Sequence, residues 1–297
     1  MPVLIPIDYR KRKYPGGIEP AVFEIAGHLD KESIDPPGAY SLHTEYSYAK
    51  RKLCSKILDD LHLLKAADSN GVPCLWQSAD WAYQFFVFIK VLTKGHPPPT
   101  IIEIHPPFDD YCPSISSFLS YYEIFERNIR AWFPRTDIII ENRFGSRYRG
   151  ANFIVSRSDQ IIRLAEETRK NGLDLKIALD FPQFLSAYGG AAKLSSREVA
   201  NIISSLAPEK SCIKSIHLWG KKKNKRGMTV SHAGNLDTLF ENDKEKKEAF
   251  LSALHSLFDD DVPRYFVPEV NGLLQYLSDI VNDLQGYGFR FIQPDSC

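Results

Sequence analysis

The segment Asp137–Asn142 (DIIIEN) joins three consecutive isoleucines to a glutamate, and short apolar runs of this kind recur along the chain. Near-continuous apolar character over strand length is typical of parallel strands buried on both faces. Most of the runs follow a turn signal such as Pro-Pro-Gly or Asn-Gly. Together with Asp137–Asn142 they give eight predicted strands, of which the others are Ala21–Ala26, Ala39–His43, Val72–Gln77, Thr100–His105, Leu175–Asp180, Lys214–Trp219 and Arg264–Val270.

Amphipathic stretches between these runs predict helices over Ala49–Ala67, Ser117–Phe133, Asp159–Asn171, Ser195–Leu206, Lys244–Phe258 and Gly272–Leu284. Repeated strand–helix alternation indicates βαβ units and a parallel sheet. Eight strands predict closure as a single (β/α)8 TIM barrel over residues 1–297, a fold that typically needs ~250 residues. A doubly wound open sheet is the alternative, but no G-x-G-x-x-G or phosphate-loop motif follows a predicted strand. The late run Gly286–Ile292 is either an edge strand or a tail.

Composition excludes several classes of protein. Lys plus Arg and Asp plus Glu both total 37, so net charge provides no general attraction for nucleic acid or membranes. The five cysteines are scattered without a C-x-x-C pair, as expected of reduced thiols in the cytoplasm. No run approaches the ~20 apolar residues of a membrane span, and the N-terminal apolar run is too short for a secretory signal. We therefore expect a cytoplasmic protein with no membrane partner; the oligomeric state is not indicated.

Acids or histidines lie at the C-terminal ends of the last five predicted strands. They are His105, Glu141, Asp180, His217 and Glu269. In a barrel this end carries the active site, so these side chains should converge. Crowded carboxylates repel one another, a problem that a divalent cation removes, and imidazole with carboxylate is a ligand set suited to Zn, Mn or Fe. One polar residue at a strand end usually only begins a loop, but five in succession favour a metal site.

Basic residues follow two of these strand ends. Those after Glu141 include Arg143 and Arg147, and those after His217 are Lys221, Lys222, Lys223, Lys225 and Arg226. Charge runs are most often solvated loops. Beside a barrel mouth, however, they could bind phosphates, so DNA or another phosphorylated molecule is the expected partner.

The strand ends resemble those of the xylose isomerase-like barrel superfamily, and within it the endonuclease IV family, over most of the chain. IHPP at His105 is similar to the family's His-Pro-Gly, and IIIENRFG at Glu141 to its Leu-Glu-Asn-Thr-Ala-Gly. IALDFPQ at Asp180 resembles Leu-Asp-Thr-x-His, IHLWGK at His217 resembles His-Leu-Asn-Asp, and VPEV at Glu269 resembles Leu-Glu-Thr. HTEY, which begins at His43, resembles an early His-x-x-Tyr ligand segment.

The resemblance implies that Glu141 bridges two metals and, with Glu269, takes part in catalysis. His43 and His105 would complete the first metal site, and Asp180, His217 and Glu269 the second. The divalent metal would be Zn first, with Mn, Fe or Ni as alternatives. The sequence departs from the family at the third metal, because Gln183 and Val230 stand where a His and an Asp are needed, and only His232 remains of that trio. Gln183 and His232 are therefore candidates for an additional metal or substrate contact.

Three functions are compatible with these features. The preferred one is a metal-dependent phosphodiester hydrolase, acting on abasic or damaged DNA in repair, with one or two metals. The second is a metal-dependent sugar isomerase or epimerase, whose one-metal site would resemble Glu141, Asp180, His217 and Glu269 and would use two glutamates for proton exchange. The third is a metal-binding barrel that has lost catalysis, which the two departures from the family pattern favour.

Overall fold

The computed structural model describes residues 1–46, 50–145, 151–223 and 226–292. Its strands are β1 Val3–Asp8, β2 Val22–Gly27, β3 Tyr40–Thr44, β4 Ile101–Ile104, β5 Asp137–Glu141, β6 Lys176–Asp180, β7 Ile213–Leu218, β8 Gly220–Lys223, β9 Thr229–Gly234, β10 Pro263–Pro268 and β11 Arg290–Phe291. Its helices are α1 Ala79–Leu92, α2 Ile115–Trp132, α3 Ser158–Lys170, α4 Phe181–Ser186, α5 Ser196–Ser204, α6 Leu236–Leu239, α7 Lys244–Phe258 and α8 Leu274–Gly286. None of these helices is long and apolar enough to cross a bilayer.

The main sheet has the strand order β10-β7-β6-β5-β4-β3-β2-β1-β11, and β10 also pairs with β1. Helices occupy most of the connections between its strands. This is the arrangement of a (β/α)8 TIM barrel, so the expected fold class is confirmed.

Internal contacts divide the chain into two compact units, unit 1 (Met1–Val22 and Ala178–Cys297) and unit 2 (Phe23–Ile177). A single domain over the whole chain stays a prediction.

Unit 2 contains three parallel strand pairs. β2 pairs with β3, β3 with β4 and β4 with β5, in a register that sets His43 beside Glu103. Ser78 caps α1 by accepting a hydrogen bond from the Trp81 amide, and the buried face of this helix packs in an aromatic cluster. The C-terminal ends of these strands carry the polar side chains described below.

Unit 1 contains the parallel pairs β1–β10 and β10–β7, and the register of the second sets Val267 beside His217. β11 pairs with β1, so the late run Gly286–Ile292 does provide a short edge strand. β8 and β9 form an antiparallel hairpin directly after β7. The basic run after His217, expected as a loop, is therefore partly a hairpin.

Several predicted elements are wrong. Val72–Gln77 is not a strand but a buried connection, and Val3–Asp8 is the barrel strand that the sequence reading missed. The predicted strands placed His43 on the second strand of the barrel. In the structure it lies on the third, because β1 precedes the two strands that were predicted first. The predicted helix Ala49–Ala67 holds only the 3-10 turns Lys56–Leu58 and His62–Lys65 within its described residues, and helix α1 was not predicted at all.

Candidate metal centre

Four side chains of unit 2 form the unit 2 cluster: His43, Glu103, His105 and Glu141. Each offers one ligand atom, and these atoms all lie within 4.8 Å of one another. The strand register explains the convergence, since His43 on β3 pairs with Glu103 on β4, and His105 and Glu141 follow one residue beyond the pair Ile104–Ile140. His43 Nδ1 lies 3.0 Å from Glu103 Oε1, and His105 Nε2 lies 2.9 Å from Glu141 Oε2.

The orientation of His105 is fixed on both sides of its ring. Nδ1 lies 3.2 Å from the backbone carbonyl oxygen of Glu45, and Nε2 faces Glu141. The backbone oxygen of His105 accepts a hydrogen bond of 2.8 Å from Trp76 Nε1. Burial lowers the pKa of the His105 imidazole, although the contact with Glu141 opposes this shift. The ring is therefore neutral and held in one orientation.

Glu141 has a charged partner besides His105. Arg143 Nη1 donates a hydrogen bond of 3.1 Å to Glu141 Oε1. The Arg143 side chain is nearly buried, with only 11% of its surface exposed, and its guanidinium lies 5.1 Å from the ring centroid of Tyr46. Arg143 lies against the candidate metal ligand Glu141, and its expected contact with phosphate stays a prediction.

Further polar residues surround the unit 2 cluster. Arg51 stacks on the Tyr46 ring from 4.7 Å and pairs with Glu45 at 2.8 Å. His28, directly after β2, lies with its ring 5.9 Å from that of His43. Burial, with the positive charges of His43 and Arg51, lowers the pKa of His28 to about 2. His28 is thus a neutral imidazole at the edge of the cluster.

Unit 1 holds a second group of polar side chains, the unit 1 cluster: Asp180, His217, His232 and Glu269. His217 Nδ1 lies 3.5 Å from Glu269 Oε1, and His232 Nδ1 lies 3.2 Å from Glu269 Oε2. Burial alone would raise the pKa of Glu269, but contact with these two imidazoles holds it well below its usual value. The pKa of His232 is raised, because contact with Glu269 outweighs the effect of burial, which alone would lower it.

Asp180 is anchored by neutral donors. Its Oδ2 accepts a hydrogen bond of 3.0 Å from Trp219 Nε1, and its Oδ1 accepts one of 2.9 Å from the backbone amide of Gln183. Asp180 is the N-cap of α4, so Gln183 supports it through the main chain. The Trp219 ring also stacks on His232, with 4.2 Å between the ring centroids.

The structure therefore brings the predicted site residues together in two groups. His43, His105 and Glu141 meet in unit 2, and Asp180, His217, His232 and Glu269 meet in unit 1. The expectation that Glu141 serves two metals stays a prediction.

The basic residues occupy different environments. Lys221 is half-buried, and its Nζ donates a hydrogen bond of 2.7 Å to Ser186 Oγ. Lys222 and Arg226 are exposed. Burial lowers the pKa of Lys221, and the charge of Asp180 opposes the shift. Arg147, Lys225 and the side chain of Lys223 lie outside what the structure describes.

Glu103 is the member of the unit 2 cluster that the sequence reading missed. It stands within the apolar run Ile101–Ile104, two residues before His105. Because side chains two apart share a face of a strand, this acid inside a buried strand was a usable signal. The supporting residues Glu45, Trp76 and His28 carry no comparable signal, because they reach the cluster from loops.

No protein-family model and no curated protein matches the sequence. Among solved structures, the chain is similar to one described as the crystal structure of AsfvAP:AG, with a TM-score of 0.51 and 14% identity over 84% of this chain and 86% of that chain. It is also similar to a xylose isomerase domain protein from Planctomyces limnophilus, with a TM-score of 0.42 and 11% identity over 89% and 95% of the two chains. At such identities a likeness concerns the fold alone, which is the TIM barrel that the strand order shows.

Proposed function

We propose that this chain is a metal-dependent phosphodiester hydrolase whose metal is held by the unit 2 cluster. The observation that carries the proposal is the environment of His105. The carbonyl oxygen of Glu45 can only accept a hydrogen bond, so the single N–H of the neutral imidazole belongs on Nδ1. The lone pair of Nε2 then faces Glu141 Oε2 at 2.9 Å, and a cation shared by the two atoms would remove their repulsion.

The distances within the unit 2 cluster suit a metal with nitrogen and oxygen ligands. Bond lengths of about 2.0–2.1 Å in a tetrahedral zinc site imply ligand atoms about 3.3 Å apart. The two closest pairs in the cluster, His43–Glu103 and His105–Glu141, are separated by 3.0 and 2.9 Å. A hydrogen bond from the second ring nitrogen to a backbone carbonyl, as in His105, is the usual support of a metal-binding histidine.

The charges around the unit 2 cluster also favour a cation. The negative charge of Glu45 is paired with Arg51, and that of Glu141 with Arg143. Glu103 and Glu24 lie 3.0 and 3.9 Å from His43 Nδ1, so two carboxylates face this ring. Carboxylates close to imidazoles attract a divalent ion, and the donor set suits Zn, with Mn, Fe or Ni as alternatives.

The roles of the residues follow from their contacts. A divalent cation would polarise a phosphoryl oxygen and lower the pKa of a water molecule. Arg143 and His105 would hold Glu141 in place, and Trp76 and the Glu45 carbonyl would keep His105 in one orientation. Pre-oriented ligands of this kind reduce the reorganisation needed during a reaction.

The choice of phosphodiester rests on the strand-end motifs and on the lysines after β7. The motifs resemble the endonuclease IV family, and Lys221 and Lys222 lie on the hairpin that directly follows His217. We therefore propose abasic or damaged DNA as the substrate. Glu141 and Glu269 are the proposed catalytic residues, and the unit 1 cluster is the proposed second ligand group.

Cleavage of a duplex with one abasic site tests this function. We expect cleavage by the metal-loaded protein, loss of cleavage with a chelator, and recovery when Zn²⁺ or Mn²⁺ is restored. Glu141→Gln should remove activity, and Glu123→Gln, an exposed acid on α2, should not. Metal-loaded protein that leaves the duplex intact but interconverts aldoses and ketoses would replace this proposal with the sugar isomerase.

A metal-binding barrel without catalysis is the second candidate. The contact between Arg143 and Glu141 favours it, because a guanidinium that neutralises the proposed catalytic carboxylate would weaken its part in a reaction, while the other ligands could still hold a metal. Elemental analysis separates the readings, since a bound metal without cleavage or isomerisation would favour the inactive barrel. Cleavage that appeared only in Arg143→Ala would favour it further.

A further inference from the structure

A cleft in unit 1 lies beside the β8–β9 hairpin and carries three lysines. Its volume is about 470 Å³, within the range of small-molecule sites. Lys221 and Lys222 come from β8, and Lys193 comes from the connection between α4 and α5. The lining includes one carboxylate, that of Glu241. Cationic side chains therefore predominate.

None of the three lysines forms an ion pair with a carboxylate among the described residues. Lys221 donates to the hydroxyl of Ser186, and the Lys222 Nζ lies 3.5 Å from the hydroxyl of Tyr276. Other lysines of unit 1 behave differently, because Lys210, Lys246 and Lys247 all pair with aspartates. Lys221 is, moreover, half-buried, a position in which an ammonium group lacks part of its hydration. An anion in the cleft would give these ammonium groups a direct ionic partner.

The walls of the cleft hold the lysines in place and leave room between them. The Gly189–Gly190 turn has φ angles of 101° and 96°, a region that side chains rarely allow, and a Cβ on either glycine would meet no atom within 4 Å. Gly220 and Gly234 are partners at the open end of the hairpin, and both lie so close to Thr238 of α6 that neither position can hold a Cβ without displacing it. The ribbon that carries Lys221 and Lys222 is thus tightly docked.

We propose that this cleft binds a phosphate group through Lys193, Lys221 and Lys222. A phosphate provides several acceptor oxygens for separate ammonium donors, and lysine binds it as a point charge. The inference rests on the proposed function for the identity of the substrate, since a phosphodiester would supply such a group. The binding itself requires no metal. The phosphate could belong to a nucleic-acid backbone or to a phosphorylated small molecule, and these sources share the same chemistry.

Calorimetric titration in EDTA tests the proposal with two probes, inorganic phosphate and a short oligothymidylate without an abasic site. The variant is the double substitution Lys193→Gln and Lys222→Gln, at two exposed positions. The control is Lys52→Gln with Lys170→Gln, which removes the same charge at two exposed positions that do not line the cleft. We expect the variant to bind at least tenfold more weakly than the control. For the oligonucleotide, the slope of log K against log salt should fall by about 1.4, at about 0.7 per phosphate contact.

Each outcome decides the question. Binding of the oligonucleotide with the reduced slope identifies a nucleic-acid backbone, and binding of inorganic phosphate alone identifies a small phosphorylated ligand. Failure of both probes to bind, or equal binding by variant and control, overturns the inference. Because EDTA is present, loss of metal-dependent cleavage with intact phosphate binding would refute only the proposed function. Cleavage with no phosphate binding at this cleft would refute only the present inference.

Discussion

His43 on β3 and Glu103 on β4 are partners in the strand register, and His43 Nδ1 lies 3.0 Å from Glu103 Oε1. Both side chains are nearly buried. Burial alone would lower the pKa of His43, but contact with Glu103 and the charges of Glu24 and Glu141 raise it to about 10. In the metal-free protein His43 therefore carries a proton at neutral pH, which a metal bound to this ring must displace.

Metal binding should accordingly release a proton from His43. We expect about one proton per Zn²⁺ from this ring at pH 8, and an apparent affinity that rises about tenfold per pH unit between pH 7 and 9. Titration calorimetry in two buffers with different heats of ionisation measures the release. His43→Asn should lose this proton and bind metal more weakly, whereas His62→Asn, at an exposed position, should match the wild type. Equal proton release by His43→Asn would contradict the assignment.

The same proton should make the metal-free protein less stable at high pH. The pKa of His43 is higher in the folded state than the ordinary value of 6.5, so its contribution is complete below pH 6.5 and is lost as pH rises through about 10. We expect the free energy of unfolding in EDTA to exceed that of His43→Asn by several kcal/mol at pH 6, and the difference to shrink towards pH 10. Urea unfolding at pH 6, 8 and 10 measures it. A difference that stayed constant with pH would show that His43 is not charged in the folded state.

Trp76 should stabilise the turn that holds His105. Its Nε1 donates a hydrogen bond of 2.8 Å to the carbonyl oxygen of His105, and both residues are buried. Trp76→Phe removes the donor and leaves that oxygen without this bond. Loss of a buried partner costs about 1–3 kcal/mol. We expect a decrease of that size in urea unfolding followed by circular dichroism. Trp132→Phe, at a position 52% exposed, should stay within about 0.5 kcal/mol of the wild type. A Trp76→Phe protein as stable as Trp132→Phe would show that the hydrogen bond to His105 contributes little to stability.

The strand ends were the predictable part of the molecule, because each combined an apolar run with a terminal acid or histidine. Val72–Gln77 was misread for a physical reason. Val72, Leu75 and Trp76 are buried like strand residues, but they belong to a connection in which Trp76 has a φ of 56°. Apolar character reports burial, and it cannot distinguish a strand from a buried turn.

Two helix predictions were wrong, for opposite reasons. In Ala49–Ala67 the leucine stripe is real, since Leu58, Leu61 and Leu64 are buried, but short 3-10 turns produce it instead of an α-helix. In α1 the run from Trp81 to Leu92 is apolar on so much of its surface that helical periodicity is weak. Sequence periodicity thus missed α1, and the short helices α4 and α6 were not predicted either.

The candidate site was predictable only in its strand-borne residues. His105 and Glu141 were found because the strands fix them, whereas the contact of Arg143 with Glu141 depends on a side-chain orientation that no spacing reveals. The backbone carbonyl of Glu45 reaches His105 across 60 positions of sequence. Contacts of this kind arise from tertiary packing, so the support of the site had to come from the structure.

The docking of the hairpin on α6 gives the last prediction. A Cβ added at Gly220 would lie 2.2 Å from the backbone oxygen of Asn235 and 2.3 Å from Thr238 Oγ1. Since backbone cannot move aside as a flexible side chain can, Gly220→Ala should destabilise the protein by about 1–3 kcal/mol. It should also weaken phosphate binding, because Lys221 and Lys222 follow directly on the displaced strand.

Gly286→Ala is the matched control for this substitution. It lies at the end of α8, where an added Cβ meets no atom within 4 Å, so it should be neutral or stabilise by up to about 1 kcal/mol. Thermal unfolding of both variants, with calorimetric titration of inorganic phosphate into each in EDTA, makes the comparison. If Gly220→Ala kept both the stability and the phosphate affinity of Gly286→Ala, the hairpin would not need its close contact with Thr238, and the lysines would owe their placement to something else.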